Sequence, residues 1–386
     1  MFNHVSVPLS IFDIVPLPEG QSPEASLDDA RELARAAEEL GYHRLWYGEH
    51  HLNAGVIGYN PALLIAVAGA VTSRLRLGSG AVLAGQRTAL SIAEDFSLLT
   101  AAYGGRIDLG IGRAAIRRTH RTQGDDGAAP SPPARSSAAA REDRVTAEGL
   151  LLPAAPDLSG LFASERLQAV SELLLPDGAV VPPYGEFANQ LISLLGHTTV
   201  IDGVALPEAT PQASSAPQLW VLGSSAGESA EVAGSRGLRF GANYHVAPSN
   251  VTDAVEHYRA SFEPSAELSE PYVIVSAEVL VAETREQAER LAAGYAEWVH
   301  SIRSGRGAIV YPTPEHAVQN PLPEQQEHLV RDRTATRFIG TPDEVAAQLR
   351  TLQRATGADE LLISTTAHDP AVRRRSFELL AQQWRL

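Results

Sequence analysis

The residues of this chain that could do chemistry gather where apolar, strand-like runs end. Tyr42–Tyr47 leads into Glu49-His50-His51, and Leu238–Ala242 leads into Asn243-Tyr244-His245. Imidazole exchanges protons near neutral pH, so His50 at such an end could act as general base or proton relay, with Glu49 either holding the imidazole's second nitrogen as a catalytic partner or pointing back into the barrel wall. The plainer alternatives are a loop charge cluster over Glu49–His51 and a structural histidine at position 245. Metal binding fits poorly, because the His-Glu-x-x-His spacing is missing. Leu75–Leu83 carries Gly78-Ser79-Gly80-Ala81, and glycine weakens a strand unless another backbone or a flat ligand must come close. In Arg106–Arg113, Ile107, Leu109 and Ile111 share one face while Asp108, Gly110 and Gly112 share the other. Two small inward residues would leave space, and Arg113 at the end offers a planar cation to a phosphate. Tight packing with a surface arginine explains that pattern equally well. Leu219–Leu222 runs into Gly223-Ser224-Ser225 and then a helix-like segment. Backbone N–H groups and two hydroxyls there could cup a phosphate at a helix N-terminus.

Composition removes other chemistries. All 31 basic side chains are arginine, so Schiff-base catalysis, a Walker lysine and lysine bases are excluded. No cysteine is present, which removes disulfides, zinc–thiolate sites, iron–sulfur clusters and thiol catalysis. With 46 acidic residues the net charge is −15, a poor match for nucleic acid or an anionic membrane surface. The 44% hydrophobic and 20% charged fractions are those of a globular chain. At 386 residues it can form one large α/β domain or two ordinary ones. Met1–Gly20 lacks the cationic start and apolar core of a signal peptide. The longest apolar stretch, Pro61–Val71, falls well short of the roughly 20 residues a membrane span needs. A cytoplasmic protein is the expectation.

These residues need elements to position them, and strand-like and helix-like segments alternate along most of the chain. Strands are expected over His4–Phe12, Tyr42–Tyr47, Leu75–Leu83, Arg106–Gly112, Gln218–Leu222, Leu238–Ala242, Tyr272–Ala282 and Glu360–Thr365. The first helix reads as capped by Ser26 with Asp29 three positions on, and closed by Gly41. Asn60 and Pro61 open a second helix reaching about Ser73. Others follow over Leu90–Tyr103, from about Gly227, over Val251–Phe262 and over Thr284–His300, and Thr341-Pro-Asp-Glu344 is a full capping box. Residues 114–216 break the rhythm. Their Ala, Pro, Ser and Gly content, with patchy periodicity only around Leu161–Leu175, reads as an irregular insertion within one 1–386 barrel domain. Ser304–Arg333 is Pro- and Gly-rich without periodicity. Eight strands separated by helices make a (β/α)8 barrel, whose active site lies at the C-terminal strand ends. A dinucleotide-binding fold is set aside, since no Gly-x-Gly-x-x-Gly turn follows a strand. The Asn60–Ser73 helix is apolar almost all round, so a homodimer through its outer face is expected.

Leu9–Asp13, Ala36–His51, Arg74–Val82, Ala93–Phe96, Gly105–Arg113, Leu219–Ser225 and Gly340–Glu344 together resemble the bacterial luciferase-like flavin monooxygenases, in particular the single-subunit alkanal monooxygenase-like branch. The resemblance spans about residues 5–113 and 217–386. It implies a TIM barrel that binds reduced FMN, which reacts with O2 to give a flavin C4a-peroxide that oxygenates a small organic substrate. It implies a separate NAD(P)H:flavin reductase as partner and a homodimer. By the same resemblance His50 is the catalytic histidine and Gly80–Ala81 a non-proline cis peptide beside the flavin ring. Arg113, Ser224 and Ser225 then bind phosphate, and Ser304–Arg333 is a mobile lid. Two departures stand out. Ala114-Ala-Ile116 replaces the branch's Ala-Pro-Gly after Arg113, and Gly112 stands where light-emitting members carry a reactive cysteine, which argues against light emission. Some relatives instead use the deazaflavin F420 for hydride transfer, and some bind flavin without catalysis. The arginine-only, alanine-rich composition suits an actinobacterial setting, where such enzymes tailor secondary metabolites, polyketides among them; that step is association rather than physics.

Overall fold

The computed structural model describes residues 6–113, 142–175, 179–196, 200–201, 204–205 and 215–386. Eight short, largely buried runs form parallel strands: β1 (Leu9–Asp13), β2 (Arg44–Tyr47), β3 (Arg76–Ser79), β4 (Ile107–Arg113), β5 (Gln218–Gly223), β6 (Arg239–Asn243), β7 (Val273–Val281) and β8 (Glu360–Ser364). Each pairs with the next, and β8 returns to pair with β1, so the sheet closes on itself. Closure removes every free edge and leaves one face inward and one outward. The outward Ile107, Leu109 and Ile111 join the main core against the helices, while Asp108 points into the barrel. This is the expected TIM barrel, with all eight expected strands in place.

The helices α1 (Pro23–Glu39), α2 (Pro61–Gly69), α3 (Ala89–Tyr103), α4 (Tyr184–Leu195), α5 (Glu228–Ser235), α6 (Val251–Ala260), α7 (Pro342–Thr356) and α8 (Pro370–Trp384) surround it. Asn60 caps α2 through Leu63 N–H, and Glu344 accepts from Thr341 N–H at the start of α7, both as the sequence indicates. The α1 cap differs. Ser22, not Ser26, accepts the Ala25 N–H, because Pro23 is already set for the first helical position. Ser26 is instead buried inside the first turn.

Three further expectations change. The Leu75–Leu83 strand is broken by a cis Gly80–Ala81 peptide into β3 and a short strand, Val82–Ala84, both beside β4. The Thr284–His300 helix is two helices, Arg285–Leu291 and Tyr295–Arg303, with Gly294 between them. A Cβ at Gly294 would stand 3.0 Å from both Pro312 and Tyr311, so the chain turns where only glycine lets another segment close in. Ser304–Arg333 holds short helices over Pro314–Gln319 and Glu324–Glu327 and the start of a third, Arg331–Ala335.

The fourth βα unit is where the sequence reading is least complete. Within 114–216, the described residues include a small hairpin (Arg144–Val145 with Leu151–Leu152) and helices over Ser159–Phe162 and Glu165–Leu174. They also include α4, which packs against α3 and α5 as the fourth helix of the barrel. Tyr184, Phe187, Ala188, Leu191 and Leu194 are its buried face, at regular helical spacing. Ala114–Ile116 lies outside the described residues.

Candidate functional site

The lower barrel is filled by charge. Arg44 from β2 binds Asp108 of β4 (2.6 Å) and Glu360 of β8 (2.7 Å), and Arg76 of β3 also binds Asp108. Trp46 Nε1 donates to Asp108 and Tyr272 Oη to Glu360. Burial alone would raise the Asp108 carboxyl, but Arg44 and Arg76 hold it below its ordinary value. This end of the barrel has no room for a ligand. Gly110 leaves none either: a Cβ there would lie 2.1 Å from the Ser79 carbonyl oxygen. The inward glycine admits the neighbouring backbone, and Ser79 Oγ is hydrogen-bonded to both Gly110 N and O. The expectation that small inward residues open space is corrected here.

The mouth is different. Phe12, Trp46, Trp220, Leu222 and Ile274 belong to one apolar cluster, in which Trp46 and Trp220 meet edge to face at 4.9 Å. The Gly80–Ala81 peptide lies against this wall, since a Cβ at Gly80 would be 3.1 Å from Trp46 and 3.4 Å from Phe12. A Cβ at Gly112 would be 3.1 Å from that of Ala81. His50 follows β2, tied by its N–H to the Gly58 carbonyl (2.8 Å). Its Nδ1 is buried and has no hydrogen-bond partner among the described residues. Burial lowers its pKa to about 4, an effect that nearby Arg333 and His51 add to and Glu49 opposes. The ring is therefore neutral at pH 7.

His245 reaches the same place from the end of β6. Its Nδ1 is hydrogen-bonded to Ser276 Oγ of β7 (2.5 Å), and Phe12 is 5.6 Å from its ring. Burial lowers its pKa to about 3, with Arg333 and His50 acting in the same direction. Glu49 does not hold His50. Its carboxylate accepts from His51 Nε2 (2.8 Å) and Leu83 N–H (2.9 Å). In an extended chain residues 49 and 51 point to one side and residue 50 to the other, so the pairing skips a residue.

Arg113 ends β4 beside the turn after β5, because Gly112 is in register with Leu222. Gly223 is buried there, where a Cβ would be 3.0 Å from Ser229 Cβ. Ser224 is exposed and Ser225 half-buried just before α5, whose N-cap, Gly227, has no side-chain hydrogen bond. Arg113 is partly exposed and pairs with Glu228 at the first position of α5 (3.0 Å). Sequence reasoning missed this carboxylate, and it missed Arg333, whose charge acts on the two histidines, and Tyr295, which holds Arg333. Their signal was hidden in segments read as one long helix and a structureless lid.

A luciferase-like monooxygenase family profile matches residues 7–145 and 189–360. The chain belongs to the luciferase-like monooxygenase family. Among family relatives it is 32% identical over 377 residues to protein YvbT of Bacillus subtilis, covering 98% of this chain and 96% of that one. It is 30% identical to the luciferase-like monooxygenase of Escherichia coli, with 97% and 96% covered. With the 4-hydroxyprotoasukamycin monooxygenase of Streptomyces nodosus it shares 27%, over 95% and 88%. Apo-MsnO8 superposes with a TM-score of 0.77 at 30% identity, covering 99% and 98%. Two more distant structures share the fold. One is the FMN-bound 3,6-diketocamphane monooxygenase from Pseudomonas putida (TM-score 0.61, 19% identity, 98% of both chains). The other is an F420-dependent secondary alcohol dehydrogenase (TM-score 0.57, 16% identity, 99% and 100%). This family membership makes a monooxygenase the coarse reading of the mouth. Among the described residues, no helix is long and apolar enough to cross a membrane.

Proposed function

We propose that this chain is a reduced-FMN- and O2-dependent monooxygenase acting on a small organic molecule. One observation carries the reading: a neutral His50 with an unpartnered buried Nδ1 stands at a barrel mouth walled by Phe12, Trp46 and Trp220. The residues present fit the cofactor. Trp46, Phe12 and Gly80–Ala81 make a flat apolar wall for a ring system. Arg113, Ser224 and Ser225 at the N-terminus of α5 supply the cation, hydroxyls and helix end that a phosphate needs. An FMN-bound enzyme and an F420-dependent enzyme share this fold, so the fold alone does not choose the cofactor; the monooxygenases among the sequence relatives favour an O2-reactive flavin such as FMN.

Reduced flavin, when bound, supplies the electrons that activate O2 for insertion into a substrate. The chain's residues do the rest. The wall around Trp46 and Trp220 excludes water. The Arg113 turn anchors the phosphate, in exchange for the Glu228 contact. His50 holds or moves a proton at its free Nδ1, and His245, fixed by Ser276, lines the same space. Glu49 holds His51 and the Leu83 backbone, a positioning role. Segment 304–333 covers the mouth: Gly55 N–H bonds Ala308 O, and Tyr311 bonds both Leu17 O and Glu19 N. A separate NAD(P)H:flavin reductase supplies the reduced flavin. The relationship to the asukamycin enzyme favours a secondary-metabolite tailoring step.

Anaerobic fluorescence titration with FMN, FMNH2 and reduced F420, followed by mixing with oxygenated buffer, tests this. The expected result is binding of FMNH2 and consumption of O2 with its reoxidation on the protein. Binding of F420 alone makes the enzyme a hydride-transfer oxidoreductase. Flavin binding without any change in its reaction with O2 makes the chain a non-catalytic relative.

A further inference from the structure

Five arginines are buried among the described residues: Arg44, Arg303, Arg333, Arg337 and Arg373. Four of them face a carboxylate. Arg44 has Asp108 and Glu360, Arg303 has Asp332, Arg337 has Glu278 at 3.8 Å, and Arg373 has Asp13. Arg333 has none within 4 Å among the described residues. Removing a guanidinium from water is unfavourable unless an anion compensates, so a buried cation left without one calls for an explanation.

The surroundings of Arg333 show where the missing anion belongs. Its Nε and Nη2 donate to Tyr295 Oη (3.1 and 2.8 Å), and it lies over the rings of Tyr295 and Trp298 at 5.4 and 5.8 Å. These contacts fix the side chain and offset part of its desolvation. Its charge acts on His50 and His245, both neutral and both at the barrel mouth. Neither can neutralise it. The carboxylate nearest in sequence is already committed: Asp332, the residue just before Arg333, goes to Arg303.

We propose that Arg333, held by Tyr295, is the anion subsite of the barrel mouth and takes a carboxylate of the substrate, placing the group to be oxidised next to His50. This deepens the monooxygenase reading and rests on it. The guanidinium fork suits a planar carboxylate, so the substrate class is a small apolar molecule bearing one acid group.

Benzoate and its neutral isostere benzamide are the probes. Binding is followed by tryptophan fluorescence in the flavin-free protein and by the flavin spectrum in the FMN-loaded protein. Wild type is expected to bind benzoate about tenfold or more tightly than benzamide. Arg333→Gln is expected to erase that preference, and Arg333→Lys to keep part of it. Circular dichroism and melting show whether each variant is folded. If Arg333→Gln does not fold, the wild-type preference and Arg333→Lys decide. Equal affinity of wild type for the two probes, no benzoate binding at tens of millimolar, or a preference that survives Arg333→Gln overturns the proposal. A variant that shifts only the flavin's affinity or reduction potential assigns Arg333 to the flavin and also overturns it. Failure of the flavin reading shows separately, as absence of FMN binding in a protein whose benzoate preference is intact.

Discussion

His50 is a base prepared by its environment. Burial first, with Arg333 and His51 adding, lowers its pKa to about 4 from an ordinary 6.5, so the folded protein keeps it neutral where the unfolded chain would protonate it. The stability this lends is complete above about pH 6.5 and fades as pH falls toward 4. A pH profile of kcat/KM should accordingly show the His50 acid limb near 4, not near 6.5. His50→Ala should leave flavin affinity nearly unchanged, cut product formation by roughly a hundredfold, and raise hydrogen peroxide release. Peroxide release and turnover both at the wild-type rate would reduce His50 to a structural role. At the other end of the site, Arg113→Ala should weaken FMN about tenfold. Glu228→Gln should tighten it about twofold at low salt, because the carboxylate that now holds Arg113 also repels a phosphate at the same helix end. Flavin titration of both variants tests the anchor, and unchanged affinity in both removes it.

At the scale of elements, the site depends on segments from distant parts of the chain meeting over the mouth. Gly55 shows how closely they meet: a Cβ there would fall 1.6 Å from the Ile309 carbonyl oxygen. Its N–H bonds Ala308 O and its carbonyl accepts from Leu17 N–H. Gly55→Ala must therefore push segment 304–313 off the loop after β2. The expected cost is about 1–3 kcal/mol, measured as a lower urea midpoint. If this segment covers the mouth as proposed, flavin access should change with it, read as a changed flavin association rate. Glu38 does comparable work below, accepting from the N–H groups of Ser73, Arg74 and Leu75 where the chain enters β3. Burial would raise its carboxyl, but those donors outweigh it and lower its pKa to about 2. This support holds above about pH 4.5 and is lost as pH falls toward 2.

For the whole molecule, the outer surface of α2 and α3 is the feature to explain. Leu63, Leu90 and Leu98 are 66%, 44% and 68% exposed, on two helices that pack against each other. A monomer gains nothing from such a patch, and a second copy would cover it. Light scattering at micromolar concentration should give twice the chain mass. Leu63→Glu with Leu98→Glu should return it to the chain mass with the barrel still folded. A wild-type monomer mass refutes the dimer.

Patterning alone determined the barrel, because the strands are short runs rich in apolar residues and most of the helices between them open on a capping side chain. It also determined the order of the site residues, since His50, Ala81, Arg113, Ser225 and His245 all fall at strand ends. One helix escaped although its signal was present: the stripe from Tyr184 to Leu194 lay within a compositionally irregular stretch. What no periodicity could supply were relations between residues far apart in sequence. Glu49 serves His51 because side chains alternate along the local backbone, Gly110 serves Ser79 because two strands touch, and Glu228 reaches Arg113 because β4 and β5 are in register. The isolation of Arg333 is of the same kind. Its charge is written in the sequence, but the lack of a carboxylate beside it emerges only when the folded chain has given Asp332, Glu278 and Asp13 to other arginines.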